Sequence, residues 1–171
     1  MKQSTTARLS AAAILAAAFC SAPAANAAPS GPPDPLVVDL EAGTGCSFAL
    51  SVRGVDSNRH TKNFLDANGK IVRTIDAGKG FTLTFTNAEN GKSITFKGNG
   101  SVTHTTIDNA TGISTVTATG HNGLVLFPTD IPAGPTTTVY TGRIVYTVDA
   151  AGVFTLKSTS GTKVDVCAAL K

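Results

Sequence analysis

The chain of 171 residues has no tryptophan, two tyrosines and a single methionine, the first residue. A flat aromatic platform for sugars is therefore not expected, nor is a surface where aromatic rings interleave with basic residues to hold nucleic acid. Glutamate is almost as scarce. Glu41 and Glu89 are the only two, and no pair of carboxylates stands out for glycoside chemistry, which needs two at a defined separation. There is no G-x-S-x-G elbow and no glycine-rich phosphate loop. The three histidines, His60, His104 and His121, show no short ligand spacing, so no metal and no cofactor are expected. Charge is scarce as well. The formal net charge is +3, and Lys2 and Arg8 supply two of those units. The remaining +1 is too weak a field to draw nucleic acid or an anionic membrane.

The first segment is a targeting signal. Lys2 and Arg8 precede an apolar, alanine-rich run, and Ala25-Asn26-Ala27 forms a small-x-small cleavage site. The run is too short to span a bilayer, and no later segment is apolar for long enough. Phe19 stands where lipidation at Cys20 would require a small residue. Residues 1–27 are read as a secretory signal peptide cut near Ala27, residues 28–43 as a proline-rich arm, and residues 44–171 as one domain. Secretion leaves Cys46 and Cys167 in an oxidising compartment, and an even count fits one disulfide.

What remains alternates with period two, the mark of half-buried strands. In "GFTLTFTN", Phe81, Leu83 and Phe85 face one way, and Thr82, Thr84 and Thr86 the other. "SITFKG", "SVTHTTID", "ISTVTATG", "GLVLF", "TVYTGRIVYTVD", "VFTLKSTS" and "KVDVCAAL" continue the series. The last of these reads as a strand. Asn68-Gly69 predicts a type I′ hairpin turn with two positive-φ residues. Short turns make sequence neighbours pair as sheet neighbours. The expectation is an all-β domain, a single antiparallel meander of about 8–10 strands, closed as a barrel rather than folded as a sandwich.

The candidate site lies in "TGHNGLVLFPTDIPAGP", Thr119 to Pro135. It combines the His121-Asn122 pair, two glycines, a dense apolar run and the longest connection. Pro128, Pro132 and Pro135 end the strand and stiffen the loop, because proline cannot donate to a ladder. Strand ends at a barrel mouth are where ligands bind. The candidate ligand-binding residues are His121, Asn122, Phe127, Tyr140 and Arg143, with capping of a bulge as the structural alternative for His121. No catalytic set is assigned. Ser101, His104 and Asp108 fall on one strand, where residues three apart point to opposite faces. The threonine stripes, such as Thr115-Thr117-Thr119, recur at no fixed period. They suit the solvent face of strands.

The segments "NGKSITF", "TGHNGLVLFPTDIPAGP", "TGRIVYTVD" and "FTLKSTSGTKVDVCAAL" resemble a group of small secreted actinobacterial proteins with a signal peptide and a cysteine near each end. The resemblance covers residues 45–171. The group has no assigned activity, so the resemblance implies secretion and a β-rich domain but no catalytic residues. Two classes of function fit the chain. One is a secreted non-catalytic monomer that binds a small apolar ligand or an extracellular partner. The other is a small barrel enzyme, a cyclase, isomerase or hydrolase, with its site at the mouth near His121. The lack of a nucleophile–base pair favours the first.

The alternation makes a direct prediction. Phe85→Ala should destabilise the fold by about 3–5 kcal/mol, and Thr84→Ala, on the other face, by less than about 1 kcal/mol. Urea unfolding of the two variants checks the assignment, which a reversed order would sink.

Overall fold

The structure, a computed structural model, describes residues 35–171. The expected signal peptide, residues 1–27, and the first part of the expected arm lie outside the described residues. Among those described, ten strands and one short helix follow in order: β1 (Leu36–Leu40), β2 (Leu50–Val55), β3 (Asn58–Leu65), β4 (Ile71–Lys79), β5 (Thr82–Asn87), β6 (Ser93–Phe96), β7 (Gly100–Asp108), β8 (Ile113–Leu126), β9 (Thr136–Val148), β10 (Phe154–Asp165) and α1 (Val166–Ala169). The all-β class is as expected. The ladders, all antiparallel, divide into a four-stranded sheet, β1-β2-β5-β6, and a six-stranded sheet, β10-β9-β8-β7-β4-β3. No closed barrel is found among the described residues, and the single meander is replaced by two sheets.

The two sheets are nevertheless serial products of one meander. Only two residues separate β2 from β3, two separate β4 from β5, and three separate β6 from β7. Each pair carries the chain from one sheet to the other. The ladders agree on both sides of the break, with β2 beside β5 and β3 beside β4, then β5 beside β6 and β4 beside β7. β8, β9 and β10 run on without such a break.

A row of glycines crosses the six-stranded sheet at the level of that break. Gly161 pairs with Gly142 and Gly142 with Gly120, while Gly78 pairs with Ser101 on one side and Arg59 on the other. Gly78, Gly120, Gly142 and Gly161 all have positive φ, between 92° and 142°. The sheet folds along this row, as chain reach requires. Leu126 pairs with Thr136 and Phe154 with Val148, and twelve residues of straight β9 would hold those partners about 40 Å apart. Yet Asp130 lies four residues past Leu126, within about 14 Å of it, and its carboxylate accepts the Phe154 N–H at 2.9 Å. The inner face of the fold buries Leu124, Leu126 and Tyr140 from one side of the row with Ala118 and Ile144 from the other. Tyr146, Phe154 and Leu156 pack against them.

The opposite face of β9 serves a second core. Val139 joins Phe48, Leu50, Val52 and Phe85 of the four-stranded sheet and its approach, together with Cys46, Val166 and Leu170. Phe85 and Phe96 meet edge to face, with centroids 5.9 Å apart. Residues 166–169 are helical where a strand was expected. Asp165 caps the turn by accepting from the Ala168 N–H, which places Val166 and Leu170 on one side, both buried in this core. The Cys46–Cys167 disulfide is present, its Cα atoms 5.5 Å apart. Closing 121 positions of chain, it stabilises the fold by about 5 kcal/mol in the chain-entropy model.

Two further details differ from the sequence reading. Leu36–Leu40, inside the proline-rich arm, pair with β2 as an edge strand, so the sheet starts before residue 44. The β3–β4 turn is not type I′. Only Gly69 has positive φ, and the Asp66 carboxylate accepts the N–H groups of Asn68 and Lys70. A side-chain-closed turn of four residues has displaced the two-residue one.

The glycine row supplies the second prediction. A Cβ at Gly142 would meet the Ser160 carbonyl oxygen at 2.2 Å, whereas one at Gly152, also at positive φ, would meet nothing within 4 Å. Gly152→Ala should therefore cost about 1–2 kcal/mol of backbone strain, and Gly142→Ala at least about 2 kcal/mol more. Thermal unfolding should separate the two by roughly 4 °C or more. Equal melting would mean that the row is not a close-packed fold line.

Candidate functional site

The five candidate residues do not converge on one site. His121 lies on β8 one residue beyond the glycine row, where the ladder with β7 ends and the segment between β6 and β7 crosses from one sheet to the other. Its N–H donates to Asn99 Oδ1 at 3.3 Å, and its Nδ1 lies 3.2 Å from the Lys97 carbonyl oxygen. The imidazole thus bridges β8 to the segment that joins the two sheets. Arg143, two positions past the cross-strand partner of His121, shares that outer face and is exposed. Asn122 and Tyr140 stand opposite each other in the ladder on the inner face, where Tyr140 belongs to the core. The Asn122 Nδ2 is buried without a hydrogen-bond partner. Phe127 opens the long loop, and its N–H donates to Asp130 Oδ2 at 2.6 Å.

The loop itself is tied down. Asp130, 3 % exposed, joins its start to β10 through the N–H groups of Phe127 and Phe154. Ile131 makes an isolated parallel bridge to Thr155, donating to the Phe154 carbonyl and accepting from the Leu156 N–H. The prolines stiffen a strap that holds the folded sheet together.

Most of the other aspartates are likewise engaged with backbone or with arginine. Asp66 closes the β3–β4 turn, Asp108 accepts from the Ala110 N–H and the Thr111 hydroxyl, and Asp149 accepts from the N–H groups of Ala151 and Val153. The hydroxyl of Thr111, then the N–H of Ala110, hold the Asp108 carboxyl below the usual carboxylate range. Hydrogen bonds from Arg53, then Ser51, do the same for Asp39. Burial pushes the Tyr146 phenol up.

Sequence reasoning missed one polar cluster. The Arg59 side chain crosses over Gly78 on the inner face. Its Nε donates to both Asp76 carboxylate oxygens at 3.0 Å, its Nη1 to the Ser101 hydroxyl and its Nη2 to the Thr103 hydroxyl. The pair is part-buried, with side chains 22 % and 31 % exposed. Arg59 lies in the polar stretch "GVDSNRHTK", which shows no alternation, and only a glycine inside a strand hints that another group lies close. Of the Arg59 guanidinium N–H groups all but one point at a protein acceptor, the Asp76 carbonyl included, so the cluster works as a structural clamp. Ser101, inside it, does not face His104, in keeping with the rejected triad. Among the described residues no group of three or more His, Cys, Asp or Glu is placed to hold a metal ion.

No protein-family model, no curated protein and no solved structure matches this chain, so its own geometry carries the functional reading.

His121→Ala should cost about 1 kcal/mol through the lost bridge to Lys97, lowering the melting temperature by roughly 2–4 °C. His121→Asn, which keeps a side-chain donor, should recover part of it. An unchanged melting temperature in the alanine variant would show that the imidazole holds nothing together.

Proposed function

We propose that this is a secreted, non-catalytic module that recognises an extracellular partner with its surface. The observation that carries the reading is the use to which its polar groups are put. His121 spans the fork between the sheets, and the carboxylates of Asp66, Asp108, Asp130, Asp149 and Asp165 accept backbone N–H groups. Groups fixed in this way shape loops and strand ends and are not poised for proton transfer. Both cores are occupied by the protein's own side chains, such as Phe85, Leu50 and Ile144, which favours a surface partner over an enclosed apolar ligand. The disulfide and the signal-like first 27 residues support secretion. The two layers around Phe85 favour a sandwich of the two sheets over the barrel expected from the sequence.

Native mass spectrometry of the protein expressed from its full-length gene and recovered from the culture medium tests the reading. The expected species starts after Ala27, lacks two hydrogens relative to the reduced chain and carries no small-molecule adduct. A stoichiometric adduct would overturn the surface reading in favour of a carrier. Uncleaved chain retained in the cells would overturn secretion.

A further inference from the structure

The outer face of the six-stranded sheet, on the β3–β4 hairpin side of the glycine row, combines hydroxyls with unpaired cations. In one row Thr106, Thr115, Thr147 and Thr155 stand side by side across four adjacent strands, with Arg73 next to Thr106. Four residues along, Arg143 stands between Thr119 and Ser160 in the same manner. Arg73, Lys62 and Arg143 are exposed and form no salt bridge among the described residues. The strand-end carboxylates of Asp108 and Asp149 are held in their own turns, Asp108 by the Ala110 N–H and the Thr111 hydroxyl and Asp149 by the N–H groups of Ala151 and Val153.

The layout selects among anionic partners. Arg73 and Arg143 are three strand spacings and four residues apart, about 20 Å. A lone phosphate or a small acid cannot reach both, whereas an extended polymer with repeated charges can. Between the cations lie threonine hydroxyls, each a donor and an acceptor, which suit a polyhydroxylated backbone. Phe64 offers no open ring for bases or neutral sugars, because the Arg73 guanidinium lies 4.0 Å and the Lys62 ammonium 5.2 Å from its centroid. Ile113, 39 % exposed, stands on this face two residues before Thr115, but its cross-strand partner is Asp108, whose carboxylate disfavours insertion into a lipid surface.

We propose that this face binds an extended anionic polysaccharide, with Arg73, Lys62 and Arg143 pairing its acidic groups and the threonine row its hydroxyls. The proposal rests on the reading of the protein as a secreted surface-binding module, and names its partner class.

Titration of the mature, oxidised protein with polygalacturonate, in low salt and at 0.15 M salt, tests it. Binding is expected at low salt and should weaken as salt screens the pairs. The double variant Arg73→Ser/Arg143→Ser should bind at least about tenfold more weakly, while the control Lys70→Ser/Lys163→Ser, which loses the same two charges elsewhere, should change by less than about twofold. Arg143→Lys should retain most of the binding. Thr115→Val/Thr147→Val should weaken it without lowering the melting temperature. Equal losses in the two double variants would reduce the effect to net charge and overturn the proposal. So would equal binding to neutral dextran, or tighter binding to poly-dT or to phosphatidylglycerol vesicles. New reducing ends released from the polymer would instead overturn the non-catalytic reading. Failure to bind at all would overturn the polysaccharide proposal and leave that reading standing.

Discussion

Close approach of backbones along the row from Gly161 through Gly142 and Gly120 to Gly78 governs this molecule. At each glycine a neighbouring strand's carbonyl oxygen sits where a Cβ would be, within 2.2–2.4 Å of it. Positive φ and that proximity together exclude any other residue without rearrangement. Because the row turns the sheet back on itself, the inner faces of β8, β9 and β10 bury one another and the strap from Phe127 can reach β10. The rest follows from that fold. It leaves the outer face of β9 free to receive the four-stranded sheet at Val139, and it opens the fork that His121 spans.

The C-terminus completes the second core by a different physical means. Val166 and Leu170 insert between the four-stranded sheet and β9, and the side-chain amides of Asn87 and Asn90 both donate to the Leu170 carbonyl at 3.1 Å. The disulfide joins the same turn to the residue that enters the core ahead of β2. The Thr137 hydroxyl, itself buried, donates to the Gly45 carbonyl beside it. Hydrophobic burial, a covalent link and satisfied buried polar groups thus act at one place, where a long loop closure would otherwise be costly in entropy. The other end of the six-stranded sheet has no such closure and presents an open face, and the binding surface is assigned there.

Much of the fold was legible because period-two alternation reports directly on which face is buried. Phe48, Leu50, Phe85, Leu124, Leu126 and Ile144 are buried as the alternation requires, and Thr84 stands on the other side of its strand from Phe85. The candidate site was less legible. His121 and Asn122 on β8, and Tyr140 and Arg143 on β9, form two short clusters along the chain, but adjacent residues on a strand face opposite ways. The ladder therefore sends His121 and Arg143 to one side and Asn122 and Tyr140 to the other. The Arg59 clamp was invisible for a related reason. Its partners, Asp76, Ser101 and Thr103, come from two other strands and meet only because Gly78 leaves room between them.

The sequence by itself determined the all-β class, most of the strands, the cysteine pair and the inside-outside pattern, since these depend on local spacing and composition. Tertiary structure decided where the sheet folds, that the meander opens into two sheets, and that Asp165 starts a helical turn. It also decided which distant side chains share a face. A glycine in a strand looks the same in sequence whether it relaxes an edge or admits a neighbouring backbone. Only the register of all six strands brings Gly161, Gly142, Gly120 and Gly78 into one line.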